Sequence, residues 1–110
     1  MLLHLITAPA WAQASARGGV DPLPDVGFVH LSAPGQVHLP AQRLFDDRED
    51  VVLLVVDEQR LSDPVRWEPG MPGDPASMRF PHLYGRLPVD AVVGVVAWPR
   101  PRGVGDLPAL

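Results

Sequence analysis

Few residue types in this chain of 110 can move a proton or hold a ligand. There is no cysteine and no lysine, and all nine basic residues are arginine. Thiol nucleophiles, thiolate zinc sites, iron–sulfur ligation and disulfide frameworks are thereby excluded. So are Schiff-base chemistry and P-loop phosphate binding through a lysine. Histidine, glutamate, serine and arginine remain.

Three of the four histidines, His4, His30 and His82, sit in apolar, strand-like stretches where packing alone does not ask for an imidazole. His38 falls instead on the surface of an expected helix. A single buried-strand histidine is readily explained as a core residue bonded to a backbone carbonyl. Three such placements raise a second reading, in which strands bring polar residues together at one cleft. No two histidines have the short spacing that fixes local metal geometry, and none belongs to a His-Glu-x-x-His motif, so no metal site is expected. Glu68 stands beside Trp67 in a strand-like segment at the lip of a loop. It suits either a pairing with Arg66 or Arg79, or the stabilisation of developing positive charge. Ser32 lacks a nucleophile-elbow motif and has the chemistry of a helix N-cap. Trp11 and Trp67 read as core, with the capacity to wall a pocket against a flat ring.

The elements that must position these residues are short, because 14 prolines and 10 glycines interrupt the chain. Leu2 to Thr7 reads as a buried strand, followed by a helix with Pro9 in its first turn and Gly18-Gly19 at its end. Gly27 to Ser32 is a second strand, and Ser32 with Pro34 begins a second helix running to Phe45. Val37, Ala41, Leu44 and Phe45 lie on one face of that helix, and Pro40 implies a kink or a late start. Val51 to Val56 is an uninterrupted apolar run, which requires cover on both faces and hence a central strand. Val65 to Glu68 is strand-like, Pro69 to Ser77 is a long loop, Phe80 to Tyr84 is extended, and Ala91 to Trp98 is a final strand. The Pro- and Gly-rich end, residues 99–110, reads as a frayed tail on a single domain of residues 1–98. Two early helices among many strands give an α+β fold.

Composition fixes the broader class. With 46% hydrophobic and 20% charged residues the chain should build a packed core. A net charge of −4 without a basic run argues against bulk nucleic-acid binding. No window approaches the ~18 apolar residues of a membrane span. The amino terminus has no positively charged n-region, so it reads as a first strand and not as a secretory signal, and the cytoplasm is the expected location.

Several strings together carry a resemblance: Leu3-His4 with Ile6-Thr7, Trp11, Gly27-Phe28-Val29-His30-Leu31-Ser32, Val65-Arg66-Trp67-Glu68 and Phe80-Pro81-His82-Leu83-Tyr84-Gly85. In this order, over about residues 2–98, they resemble the domain-of-unknown-function family 952. Leu3 stands where the family usually has tyrosine, Arg86 where proline is common, and the loop around Asp74 is extended. The resemblance implies a small split antiparallel or mixed sheet with two short helices. Such a fold would be similar to that of the ADP-ribosyltransferase and RNA 2′-phosphotransferase group, which hold NAD or an ADP-ribose-like ligand in a central cleft. By position, His4, His30 with Ser32, and Glu68 would fill comparable places, with Glu68 steadying a cationic ribose.

Two functions follow as expectations. The first is a pocket for an NAD-derived or nucleotide ligand, with transferase-like chemistry if the protein is an enzyme. Its contacts would be His4, His30, Ser32 and His82, with Trp67 or Tyr84 for ring stacking and Glu68, His4 and His30 as catalytic candidates. The second is a non-enzymatic interaction module whose histidines are structural and whose proline-rich loop or tail binds a partner.

Overall fold

Alternation along two neighbouring strands organises the core. In a computed structural model, which describes residues 1–70 and 78–110, strand β1 (Leu2–Thr7) pairs antiparallel with β4 (Val51–Val56), from Leu2↔Val56 to Thr7↔Val51. On one face Leu2, Leu54 and Val56 pack with Val29, Leu31 and Leu83. On the other, Leu3, Leu53 and Val55 pack with Val37, Ala41 and Trp98. Burial on both faces is what the unbroken apolar run of β4 requires, and β4 is the central strand of the order β1-β4-β8, with β8 spanning Val92–Ala97.

A second three-stranded sheet has the order β3-β6-β5, formed by Val29–His30, Arg79–Leu83 and Val65–Pro69. A two-stranded ribbon, β2 (Gly19–Val20) with β7 (Leu87–Pro88), completes the β-structure of the described residues. Every pairing among these strands is antiparallel. The fold is α+β, with two α-helices among the described residues. The two larger sheets touch through a bridge between Leu3 and Ser32, whose backbones exchange two hydrogen bonds of 2.8 Å. Beyond that bridge no ladder joins β1 to β3 among the described residues, so the sheets part there.

Helix α1 (Ala8–Ala16) begins as expected, with the Thr7 hydroxyl accepting from the Ala10 amide and Pro9 in the first turn. It ends before Gly18, whose φ of +93° supplies the left-handed residue that such a terminus favours. Helix α2 (His38–Phe45) starts later than the Ser32 and Pro34 signal suggests. Ser32 is engaged with β1, and Pro34 to Val37 form a turn. Pro40 lies in the first turn of α2, where the amide it lacks would have no intrahelical partner. Gln36 holds the turn: its Oε1 accepts from the Ala33 amide and its Nε2 donates to the Arg79 carbonyl, both at 3.0 Å. Of the expected helix face, Val37 and Ala41 are buried, but Leu44 is exposed beside the cavities described below.

The carboxyl-terminal segment is not frayed. Arg102 is buried and its guanidinium donates to the carbonyls of Trp98, Phe45 and Arg48, while the Trp98 indole donates to the Asp106 carbonyl. A proline-rich composition concealed this lock, because the cation bonds backbone oxygen and not a partner that sequence reveals. Pro69 closes β5 and Gly70 follows it, and the rest of the expected long loop, residues 71–77 with Asp74 included, lies outside the described residues. Among the described residues no helix is long and apolar enough to cross a membrane.

Candidate functional site

Register places the polar and aromatic residues of the β3-β6-β5 sheet on one face. His30 pairs with His82, and His82 with Arg66, so these three side chains form a row across the three strands. Phe28 and Tyr84 lie one step to one side, and Phe80 and Glu68 one step to the other. The opposite face carries Val29, Leu31 and Leu83, which enter the core. Trp67 also belongs to that opposite face, yet it is 48% exposed. It is therefore neither core nor a wall of the cavities on the His82 side.

His82 is the most constrained member of the row. Its ring stacks on Phe28 with centroids 3.9 Å apart and planes 13° from parallel, and it meets His30 edge-on at 5.4 Å and 89°. Its Nδ1 lies 2.9 Å from Glu68 Oε1, and the Tyr84 hydroxyl donates to the same oxygen at 2.6 Å. A carboxylate can only accept, so His82 carries a proton on Nδ1 and presents Nε2 across the ring. Hydrogen bonds from Tyr84 and then His82 hold the Glu68 carboxyl below the usual carboxylate range, and the bond to Glu68 raises the Tyr84 phenol. Glu68 is thus engaged by His82 and Tyr84, in place of the expected pairing with Arg66 or Arg79. Arg66 lies instead over the Tyr84 ring, 4.9 Å from its centroid.

His4 is held from the neighbouring sheet. Its Nδ1 donates to the His30 carbonyl at 2.6 Å, across the region where β1 and β3 part. Desolvation lowers its pKa to about 4, leaving a neutral imidazole at physiological pH. His30 is lowered too, by desolvation and then by the neighbouring His82, with Asp25 acting in the opposite sense.

Two cavities open where the sheets separate. The smaller, ≈ 150 Å³, is lined by Phe28, His30, Ser32, Phe80 and His82 together with α2 residues including Arg43. The larger, ≈ 360 Å³, is lined by His4, Thr7 and Val29 with His30 and Ser32 again. His30, Ser32, Pro40 and Leu44 belong to both, so the cavities meet at the carboxyl end of β3 under α2. The three strand histidines are therefore brought to one region, although His4 and His82 line different lobes. Glu68 and Tyr84 line neither and reach the site through His82. Phe28 and Phe80 were not singled out from sequence. Their signal is the spacing of two to His30 and to His82, which puts them on the same strand face. Among the described residues no group of three or more His, Asp or Glu is placed to hold a metal ion.

Comparison with known proteins extends this description. A crystal structure of protein CC0527 from Caulobacter crescentus superposes with a TM-score of 0.74 at 30% identity, covering 87% of this chain and 83% of that one. Its solution NMR structure gives a TM-score of 0.72 at 30% identity, covering 89% and 84%. A crystal structure of a double mutant of the same protein gives 0.74 at 29% identity, with coverage of 87% and 83%. No curated protein matches. The family model described as a protein of unknown function, DUF952, matches residues 5–95, a span that includes His30, Ser32, Glu68, His82 and Tyr84 and begins one residue after His4. The chain belongs to the DUF952 family.

Proposed function

We propose that the region where the two sheets part is a binding site for a nucleotide or NAD-derived ligand, within a fold related to the ADP-ribosyltransferase and RNA 2′-phosphotransferase group. The observation that carries this reading is the meeting of two cavities at His30 and Ser32. A two-lobed site fits a ligand with a flat ring at one end and a sugar phosphate at the other better than it fits one compact metabolite. Phe28 and Phe80 offer ring surfaces in the smaller lobe. His4, with its Nδ1 proton committed to the His30 carbonyl, offers Nε2 as an acceptor to a ribose hydroxyl in the larger lobe. Ser32 and His30 would contact the ligand from both lobes. Tyr84, bonded to Glu68 and packed against Phe28, serves the site by support and not by stacking on the ligand.

Ribosyl- or phosphotransferase-like chemistry belongs to the same proposal. Glu68 is turned toward His82 and Tyr84, so its part in such chemistry runs through His82. Calorimetric titration with NAD, ADP-ribose and 2′-phosphorylated nucleotides tests the reading, alongside the melting temperature with each. Heat of binding and a raised melting temperature are expected for at least one. No heat and no shift with any of the three would overturn it.

The alternative, an interaction module, rests on Trp67, a large aromatic residue 48% exposed on the face away from the cavities. It predicts that Trp67→Ala abolishes partner capture while an alanine at His30 leaves it intact.

A further inference from the structure

We infer that His82 and His30 form an acid–base pair that cleaves a ribonucleotide 3′-phosphodiester by transfer to its adjacent 2′-hydroxyl in the smaller cavity. The inference rests on the nucleotide reading above and adds a reaction to it. Both imidazoles line that cavity, 5.4 Å apart and nearly perpendicular, so one can face the attacking oxygen while the other faces the leaving oxygen.

The roles follow from the hydrogen bonds. His82 has its Nδ1 proton fixed on Glu68, which leaves the Nε2 lone pair as the base. The Phe28 stack at 3.9 Å prevents the ring from turning away. His30 is exposed and can be reprotonated from solvent; the desolvation that lowers its pKa strengthens its conjugate acid as a donor and shifts the protonated form, and with it cleavage, toward acid pH. Glu68 and Tyr84 line neither cavity and are positioning residues.

The step balances without a further reactant. His82 Nε2 takes the 2′-hydroxyl proton and the O2′–P bond forms. The P–O5′ bond breaks with its electron pair on O5′, which receives the proton of protonated His30. The products are a 2′,3′-cyclic phosphate and a free 5′-hydroxyl, and solvent exchange returns the two histidines to their starting states. A volume of ≈ 150 Å³ is about half the lower limit for a drug-sized pocket, so for this substrate the reacting sugar phosphate, and not a base, lies beside Phe28 and Phe80, and the bases lie outside the smaller cavity.

The test uses the full chain with uridylyl-(3′→5′)-adenosine, following the 2′,3′-cyclic phosphate by phosphorus NMR. Calorimetry with the 2′-deoxy dinucleotide, which lacks the nucleophile, measures binding separately. Cleavage is expected for the wild type, with at least about a 100-fold loss in His82→Ala and in His30→Ala prepared by the same route. Because His30 is exposed, its alanine variant retains the fold, and His82→Asn provides a second probe if His82→Ala does not fold. Glu68→Gln should lower kcat about tenfold with KM unchanged, a split that general destabilisation would not produce. Binding of the 2′-deoxy dinucleotide without cleavage of the ribonucleotide would overturn the acid–base inference and leave the pocket standing. Cleavage that persists in the histidine variants would overturn it as well, and absence of binding by every nucleotide tested would remove the pocket reading and this inference together.

Discussion

The Nδ1 of His82 on one strand and the carboxylate of Glu68 on the next lie 2.9 Å apart, diagonal neighbours on one face of the β3-β6-β5 sheet. Both residues owe this to register. Glu68 pairs with Phe80 and Arg66 with His82, so a shift of β5 by one residue would send Glu68 to the opposite face. The contact decides which imidazole nitrogen carries the proton, and with it what the cavity sees.

Replacing Glu68 by Gln should release that choice. Nitrogen NMR of the histidine rings is expected to show His82 protonated at Nδ1 in the wild type and a mixture of tautomers in Glu68→Gln. Tyr84→Phe removes the other donor to the same oxygen and should raise the Glu68 pKa toward the ordinary carboxylate range. An unchanged carboxyl titration by carbon NMR would contradict the assignment of Tyr84 as the leading cause.

Acid should weaken the fold through His4. Its pKa falls from 6.5 in the unfolded chain to about 4 in the fold. Between those values the unfolded chain binds the proton and the folded chain does not, so stability drops as pH falls from 6.5 toward 4. The contribution is roughly 3 kcal/mol at full development. Denaturant midpoints across that range should fall more steeply in the wild type than in His4→Gln, which does not titrate there. His30, also lowered, adds to the slope with the same sign.

Arg102 should matter more than its place in a proline-rich terminus suggests. Its guanidinium joins three carbonyls, two of them at the carboxyl end of α2 and the turn that follows. Arg102→Ala leaves these acceptors without that donor, with a loss of about 3 kcal/mol expected in urea denaturation. Because α2 supplies Pro40 and Leu44 to both cavities, ligand affinity should fall in the same variant.

Gly18→Ala tests the end of α1. At φ +93° a side chain is strained, and a loss of about 1 kcal/mol is expected by thermal denaturation.

The elements were legible where one physical signal dominated. The unbroken valine and leucine run announced β4 as central, and Thr7, Pro9 and Gly18 bounded α1. Ser32 misled because its capping chemistry is local, whereas its fate is set by a long-range bridge to Leu3. The same holds for Arg102, whose partners are backbone oxygens with no sequence mark. For the site, period-two spacing placed Phe28 with His30 and Phe80 with His82, and pairing across strands supplied the rest. Nothing in the order of residues said that Glu68 would face His82 and Tyr84 in preference to an arginine, since that depends on the register between β5 and β6. Trp67 lies one position from Glu68 and hence on the other face, where it is exposed and not core.

The most direct measurement is calorimetric titration of ADP-ribose into the wild type and into His30→Ala, since His30 lines both cavities and its exposed side chain makes its removal tolerable to the fold. The proposed site predicts one ligand per chain and at least about a tenfold weaker association in the variant, in line with the loss of a hydrogen bond at the contact. Equal binding by the two proteins would place the ligand elsewhere and contradict the assignment of the site to the parting of the two sheets.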